Sequence, residues 1–88
     1  MIELFSANTP NGWKISIMLE EIGYGYKVTP VDLGKEEQFK PEYLKISPFG
    51  KIPVIIDHEN NNSIFESGAI LMYLGDISGN FTIKKIDL

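Results

Sequence analysis

The chain contains no cysteine, and this absence excludes more chemistry than any other feature of its composition. Without a protein thiol there is no disulfide to stabilise the fold, no Cys-x-x-Cys redox centre and no thiolate ligand for a metal. His58 is the only histidine, so we also expect no histidine-based zinc site and no metal of any kind. The 88 residues are enough for one domain at most.

Long apolar runs and an excess of basic residues are also missing. No stretch of about 18 apolar residues is present, and the first residues do not resemble a secretory leader. We therefore expect a soluble, cytoplasmic protein without a membrane partner. The net charge is −4 at pH 7, which argues against nucleic acid as a partner.

The apolar spacing of the first third predicts a strand, a helix and a second strand. Residues 2–5 form a short apolar run that is typical of a buried strand. From Trp13 the apolar residues follow helical spacing, at Ile15, Met18, Leu19 and Ile22. Gly23 fits the left-handed residue at which a helix ends, and residues 26–31 then alternate as a strand does.

The rest of the chain predicts a loop over residues 35–40, a short helix over 41–46, a hairpin and a last helix. The hairpin strands are residues 54–56 and 63–65, with an Asn-rich tip between them, and the last helix spans 67–77. A strand, crossover helix and strand imply a parallel, right-handed pair. We therefore predict an α/β fold of order βαβαββα, with a mixed four-stranded sheet flanked by helices. Residues 1–78 form the domain, and residues 79–88 are assigned as a linker-like tail.

Several short motifs occur in an order that matches a known family. They are Thr9-Pro10-Asn11-Gly12, Ile46-Ser47-Pro48, Lys51-Ile52-Pro53 and Phe65-Glu66-Ser67-Gly68. With these motifs the chain resembles the N-terminal, glutathione-binding domain of glutathione transferases, which has the thioredoxin fold. Within that family it is most similar to the bacterial nu class, which is related to a fungal nitrogen-regulator prion protein.

The resemblance implies that glutathione is the co-substrate and that its thiol is activated for disulfide-bond reduction, peroxide reduction or conjugation. It also implies a homodimer. Glutathione transferases normally carry a second, all-helical domain, for which this chain has no counterpart. The alternative is therefore a truncated, non-catalytic module that associates with a helical partner or with itself, through a side of the last helix that leaves Leu71, Met72 or Tyr73 uncovered.

The family pattern assigns the peptide part of glutathione to two segments. It implies a cis bond between Ile52 and Pro53, which turns the main chain of Ile52 toward the cysteinyl residue of the ligand. A trans proline that caps an edge strand is the alternative from the sequence alone. Glu66 would accept from the α-ammonium group, and Ser67 would donate to the γ-glutamyl carboxylate at a helix start. Ser67 can also be read as a simple helix cap.

The remaining site residues concern the thiol and the glycyl carboxylate. Thr9 and Asn11 are predicted to stabilise the thiolate at the end of the first strand, with Ser6 as a rival. An ordinary helix start is the other interpretation of this motif. Lys51 and Gln38 are candidates for the glycyl carboxylate. The other lysines of this region, Lys35, Lys40 and Lys45, are expected to form a solvated face.

Overall fold

A computed structural model of the chain describes residues 1–79. Its strands are β1 (Ile2–Ser6), β2 (Tyr26–Pro30), β3 (Val54–Asp57) and β4 (Asn62–Phe65). Its helices are α1 (Pro10–Ile22), α2 (Pro41–Leu44) and α3 (Ser67–Ser78). The predicted tail lies, apart from Gly79, outside the described residues, so the division at residue 78 stays a prediction.

The four strands form one sheet in the order β2-β1-β3-β4. β1 and β2 are parallel, whereas β3 is antiparallel to both of its neighbours. The parallel pair, the antiparallel hairpin and the order of the elements confirm the predicted mixed sheet. β3 is therefore an interior strand, and the interpretation of Pro53 as the cap of an edge strand is wrong.

The main core lies between the sheet and the helices α1 and α3. Its seven buried side chains are all aliphatic: Ile2, Leu4, Ile15, Leu19, Ile55, Ile70 and Leu74. Burial of each such side chain contributes roughly 1.5–3 kcal/mol, which a cysteine-free chain needs because no disulfide supports the fold. A smaller cluster on the opposite face of the sheet joins Val31, Tyr43 and Val54 and is covered by α2.

Helix α1 begins at Pro10, three residues before the predicted start at Trp13. Proline suits a first helical position because its missing N–H has no helical partner there. The Thr9 hydroxyl caps the helix by accepting from the N–H of Gly12. The first turn is polar, so apolar spacing alone did not reveal it.

The segment predicted as a loop over residues 35–40 contains short 3-10 turns, Leu33–Lys35 and Glu37–Phe39. Glu36 separates them with a φ of 58°, and the Asp32 side chain accepts from the N–H of Lys35. Helix α2 is shorter than predicted, because it ends at Leu44. These local hydrogen bonds leave no apolar pattern, which explains why the sequence suggested only a loop.

The described residues contain neither a helix that could span a membrane nor a cluster of metal-binding side chains. Within residues 1–79 no helix combines the length and the apolar composition that crossing a bilayer requires. The longest, α1, has 13 residues. The same part of the chain gathers no group of three or more His, Cys, Asp or Glu side chains around a common point.

Candidate functional site

The strand register brings three of the predicted site segments to one edge of the sheet. Phe5 pairs with Val54, and Val54 pairs on its other side with Phe65. The loop that follows β1, the residues that precede β3 and the residues that follow β4 therefore leave the sheet at the same edge. This edge, which we call the site edge, carries the motifs around Asn11, Ile52 and Glu66.

Ile52 and Pro53 are joined by a cis peptide bond, as the family resemblance implied. Within residues 1–79, neither the N–H nor the C=O of Ile52 is hydrogen-bonded to another group of the chain. Polar main-chain groups of this kind are almost always paired in folded proteins, with protein, water or ligand. The free donor and acceptor of Ile52 are therefore a pair that a peptide ligand can match.

Lys51, directly before this pair, is held through its main chain. Its carbonyl oxygen accepts from Tyr43 Oη at 2.7 Å and from Ser47 Oγ at 2.8 Å. Its N–H donates to Ser47 Oγ at 3.1 Å. Burial raises the pKa of Tyr43 to about 12, so this phenol remains a donor at neutral pH. Neither Tyr43 nor Ser47 was predicted as a site residue from the sequence, although Ser47 lies in one of the family motifs.

Glu66 and Ser67 form the junction between β4 and α3. Glu66 has a φ of 73° and a ψ of 126°, a backbone conformation that non-glycine residues rarely adopt and that clusters at binding sites. Ser67 is the first residue of α3, so the cap position belongs to Glu66 and the interpretation of Ser67 as the cap is wrong. Glu66 makes no side-chain cap bond either.

The start of α3 offers several donors to a ligand. The first helical bond runs from the N–H of Ile70 to the carbonyl of Glu66, so the preceding N–H groups have no helical acceptor. No hydrogen bond joins the Ser67 hydroxyl to another group of residues 1–79. These groups, together with the positive end of the helix dipole, suit a carboxylate.

Thr9 and Asn11 lie at the start of α1, which is the predicted place. The Thr9 hydroxyl accepts from the N–H of Gly12 at 3.3 Å, so Thr9 is a helix cap. The interpretation of this motif as a helix start is therefore confirmed, and the hydroxyl still has its own proton to donate. Asn11 is exposed, and its side chain makes no hydrogen bond within residues 1–79.

Gly12 allows the helix start to approach the end of β1 closely. A Cβ at this position would overlap Ser6 Oγ and lie 2.7 Å from the carbonyl oxygen of Ala7. Ser6 is buried, and its hydroxyl donates to the Ala7 carbonyl at 3.2 Å. This burial argues against Ser6 as the group that contacts a ligand thiol.

Asn8 is a residue of this loop that the sequence analysis missed. Its side-chain oxygen accepts from the indole N–H of Trp13 at 2.7 Å, which ties the loop to α1. An Asn in a helix-start motif followed by a nearby Trp carries no specific sequence signal for such a bond.

Lys51 and Gln38 occupy the side of the site edge near β3. The Lys51 side chain is exposed and forms no ion pair within residues 1–79. The turn that carries Gln38 packs on Gly50, where a Cβ would lie 2.7 Å from the Phe39 ring and 3.1 Å from the Gln38 carbonyl oxygen. Gln38 Oε1 is buried without a hydrogen-bond partner in this part of the chain. The structure thus brings Gln38 beside Gly50 and Lys51.

The other lysines of this region, Lys35, Lys40 and Lys45, are exposed. None of them takes part in an ion pair of the described residues. The prediction that they form a solvated face is confirmed, and Lys51 is the only one of the four next to the cis peptide bond.

The order of the motifs and this geometry agree with a comparison against known families. The model of the glutathione S-transferase N-terminal domain matches residues 1–76. The chain belongs to this family. The family resemblance of the sequence is therefore confirmed.

Individual relatives show the same relationship. The disulfide-bond oxidoreductase YfcG of Escherichia coli K12 is 52% identical in an 86-residue alignment that covers 92% of this chain and 40% of the relative. Protein URE2 of Debaryomyces hansenii is 44% identical over 73 residues, covering 81% of this chain and 24% of the relative. A glutathione transferase family member from Pseudomonas fluorescens Pf-5, crystallised with two glutathione molecules bound, is 50% identical with a TM-score of 0.84.

That structure aligns with 89% of this chain and 36% of the Pseudomonas chain, which confirms the thioredoxin-like fold. The domain thus spans about two fifths or less of the length of these relatives.

Proposed function

We propose that the chain is the glutathione-binding domain of a glutathione transferase-like protein and that it activates the glutathione thiol. The reactions proposed are disulfide-bond reduction, peroxide reduction or conjugation. The observation that carries the proposal is the convergence of unpaired polar groups at the site edge. The main chain of Ile52 and the start of α3 lie there together, as the register of β1, β3 and β4 requires. Glutathione bound to the Pseudomonas relative supports the choice of ligand.

The γ-glutamyl end of glutathione is assigned to the junction of β4 and α3. Its carboxylate would accept from the Ser67 hydroxyl and from the free N–H groups of the first helical turn. Its α-ammonium group would donate to the Glu66 carboxylate, which is exposed. One carboxylate beside one helix start thus recognises both charges of a free amino-acid head group.

The cysteinyl and glycyl residues are assigned to the segment before β3. The N–H and C=O of Ile52 would pair with the cysteinyl main chain, as in the addition of a short strand. Pro53 ends this segment at the sheet. Lys51 would face the glycyl carboxylate, and Gln38, whose turn packs on Gly50, would donate to the same group.

The thiol is assigned to the start of α1. Asn11 and Thr9 would donate hydrogen bonds to the sulfur, and the nearby helix start adds partial positive charge. Both effects favour the thiolate and lower the pKa of the thiol. Because the chain has no cysteine, the reacting sulfur has to come from the ligand.

Disulfide reduction would proceed by two thiol–disulfide exchange steps. The glutathione thiolate attacks one sulfur of a substrate disulfide, which forms a mixed disulfide and releases the other sulfur as a thiolate. A second glutathione thiolate then attacks the glutathione sulfur of the mixed disulfide. Oxidised glutathione and the second substrate thiolate leave. Two glutathione molecules are consumed, which accords with the two bound to the Pseudomonas relative.

Calorimetric titration with reduced and with oxidised glutathione tests the proposal. Wild-type chain is compared with Ser67→Ala and with Ser63→Ala, which removes an exposed hydroxyl in β4 instead. We expect binding in the millimolar range or tighter, weakened about fivefold by Ser67→Ala and unchanged by Ser63→Ala. No binding at millimolar ligand contradicts the proposal.

The second candidate function, an association module, is favoured by apolar side chains on the outer helices. Trp13 and Ile17 of α1 and Met72 of α3 are more than half exposed, at 52%, 62% and 51%. The predicted surface is only partly confirmed, because Leu71 and Tyr73 are partly buried against the core. We propose that the chain associates with itself or with a helical partner through these exposed side chains of α1 and α3. Size-exclusion chromatography with light scattering tests it, and a stable monomer at high concentration contradicts self-association.

A further inference from the structure

The carbonyl oxygen of Lys51 is held by two side-chain hydroxyls at once. Tyr43 Oη lies 2.7 Å away and Ser47 Oγ lies 2.8 Å away. A carbonyl oxygen has two lone pairs, so these two donors use its full capacity. Ser47 Oγ also accepts from the N–H of the same residue, at 3.1 Å. Lys51, a surface residue, thus makes three hydrogen bonds with two buried side chains: its carbonyl accepts two and its N–H donates one.

Both hydroxyls belong to buried residues. Ser47 is 0% exposed and Tyr43 is 7% exposed. The N–H of Ser47 donates to the carbonyl of Tyr43 at 2.9 Å, and the N–H of Gly50 donates to the carbonyl of Ser47 at 2.9 Å. The Tyr43 ring also packs edge-on against Phe5 of β1. The two hydroxyls are therefore fixed relative to the sheet.

Fixing this carbonyl also fixes the next donor along the chain. Lys51 C=O and Ile52 N–H belong to one peptide group, which is planar. The bond between them is trans, since Ile52–Pro53 is the cis bond found among the described residues. In a trans peptide group the C=O and N–H point in opposite directions. The Ile52 N–H therefore points away from Tyr43 and Ser47, and it has no partner within residues 1–79.

We propose that Ser47 and Tyr43 are positioning residues that present the Ile52 N–H to the main chain of the bound peptide. This inference rests on the proposed glutathione site and adds two residues to it. Neither hydroxyl touches the ligand in this arrangement, because both are occupied by Lys51. Ser47 supplies two of the three bonds, so its loss is expected to have the larger effect.

The experiment uses Ser47→Ala, Tyr43→Phe and the matched control Tyr24→Phe in the full chain. Tyr24 Oη also donates to a main-chain carbonyl, that of Ile77 at 3.1 Å. The control therefore removes the same kind of bond from the last turn of α3, at the end of that helix opposite to Ser67. Residual dipolar couplings of the ligand-free chain report the orientation of the Ile52 N–H bond. Titration with reduced glutathione then gives the affinity and the shift of the Ile52 amide resonance.

We expect both site variants to reorient the Ile52 N–H, to weaken glutathione about fivefold or more and to reduce the ligand-induced shift of this amide. Tyr24→Phe should leave all three unchanged. An unchanged Ile52 orientation in both site variants overturns the inference, as does wild-type affinity in both. If wild-type chain does not bind glutathione, the proposed function fails. A reoriented Ile52 N–H in the free variants would then still support the positioning role.

Discussion

The polar groups at the two ends of the sheet differ in their hydrogen bonding. At the far end, where β1 begins, polar groups are paired with one another. Asp57 is buried and accepts from Tyr73 Oη at 2.6 Å and from the N–H of Glu59 at 3.0 Å. Glu3 accepts from His58 at 2.8 Å and also from Thr29.

At the site edge, by contrast, several polar groups have no hydrogen-bond partner within residues 1–79. These are the main chain of Ile52, the Ser67 hydroxyl, the Asn11 side chain and Gln38 Oε1. Glu66 adds an unusual backbone conformation. A buried polar atom such as Gln38 Oε1 is normally paired, and unusual backbone conformations such as that of Glu66 cluster at binding sites. The difference supports the proposal that the far end stabilises the fold and that the site edge binds a ligand.

The largest expected effect concerns the far end. Asp57→Ala leaves the Tyr73 hydroxyl and the Glu59 N–H without their acceptor, and we expect it to lower the free energy of unfolding by about 2 kcal/mol. Glutathione affinity of the folded fraction should not change. Asn60→Ala removes an exposed donor to the same Tyr73 hydroxyl and the acceptor of the Asn62 N–H, and it should cost less, below about 1 kcal/mol. Chemical denaturation gives the free energy of unfolding, and calorimetry gives the glutathione affinity. A loss of affinity in Asp57→Ala would contradict the proposed difference between the two ends.

The next effect concerns the thiol. Asn11→Ala is expected to reduce the rate of glutathione-dependent disulfide reduction about tenfold or more, and to weaken binding by less than about twofold, since the amide acts on the thiolate. The rate is followed with a small-molecule disulfide, and the affinity by calorimetry. Glu21→Ala, an exposed change near the other end of α1, serves as control. Equal losses in rate and affinity would argue against a role of Asn11 in activating the thiol.

A smaller effect separates stability from binding at Glu66. Its φ of 73° is readily adopted by glycine, so Glu66→Gly should raise the free energy of unfolding by about 1 kcal/mol. The same change removes the acceptor for the α-ammonium group and should weaken glutathione about tenfold. Asn61→Gly, at a φ of 59° in the hairpin tip, should relieve less strain because asparagine tolerates this region, and should leave affinity unchanged. A Glu66→Gly variant that binds as tightly as wild type would exclude Glu66 from the site.

The smallest effect is a pH dependence at the far end. Burial alone would raise the pKa of Glu3, but hydrogen bonds from Thr29 and His58 and the charges of Lys27 and His58 outweigh it and lower the pKa. The folded-state pKa is thus below the ordinary value of 4.5. The carboxylate therefore contributes stability that is fully present above about pH 4.5 and is lost as the pH falls through the lowered pKa.

Denaturation midpoints measured between about pH 6 and pH 3 test this sign. Glu3→Gln should lose less stability than wild type over that range. The contrast would fail if the variant showed the same acid dependence as the wild-type chain.

The order of strands and helices could be predicted from the sequence because the apolar spacing is regular where elements meet the core. Ile15 and Leu19, for example, are both buried, as the helical pattern indicated. The polar first turn of α1 and the 3-10 turns after β2 are held by local hydrogen bonds instead. Such bonds leave no periodic signal in the sequence. The start of α1 was therefore predicted three residues too late, and the turn that carries Gln38 was predicted as a loop.

The candidate site was predicted mainly through the family resemblance. The hydrogen bond of Tyr43 and the backbone conformation of Glu66 were not predicted, because both depend on the tertiary structure. Tyr43 and Lys51 are eight positions apart and meet only because α2 and the following turn fold back on β3. The backbone conformation of Glu66 likewise depends on how β4 joins α3. Neither the Tyr43–Lys51 hydrogen bond nor the Glu66 conformation follows from a fixed spacing of residues. The motif of Ile52 and Pro53, in contrast, can be recognised directly in the sequence.

We propose that glutathione forms hydrogen bonds with the unpaired groups of the site edge. The most direct test is an amide ¹⁵N–¹H spectrum of the full chain recorded during titration with reduced glutathione. We expect progressive shifts of the amide resonances of Asn11, Ile52, Ser67 and Gly68, whereas those of Asp57, His58 and Tyr73 should not move. Shifts confined to the far end, or no shifts at millimolar glutathione, would contradict it.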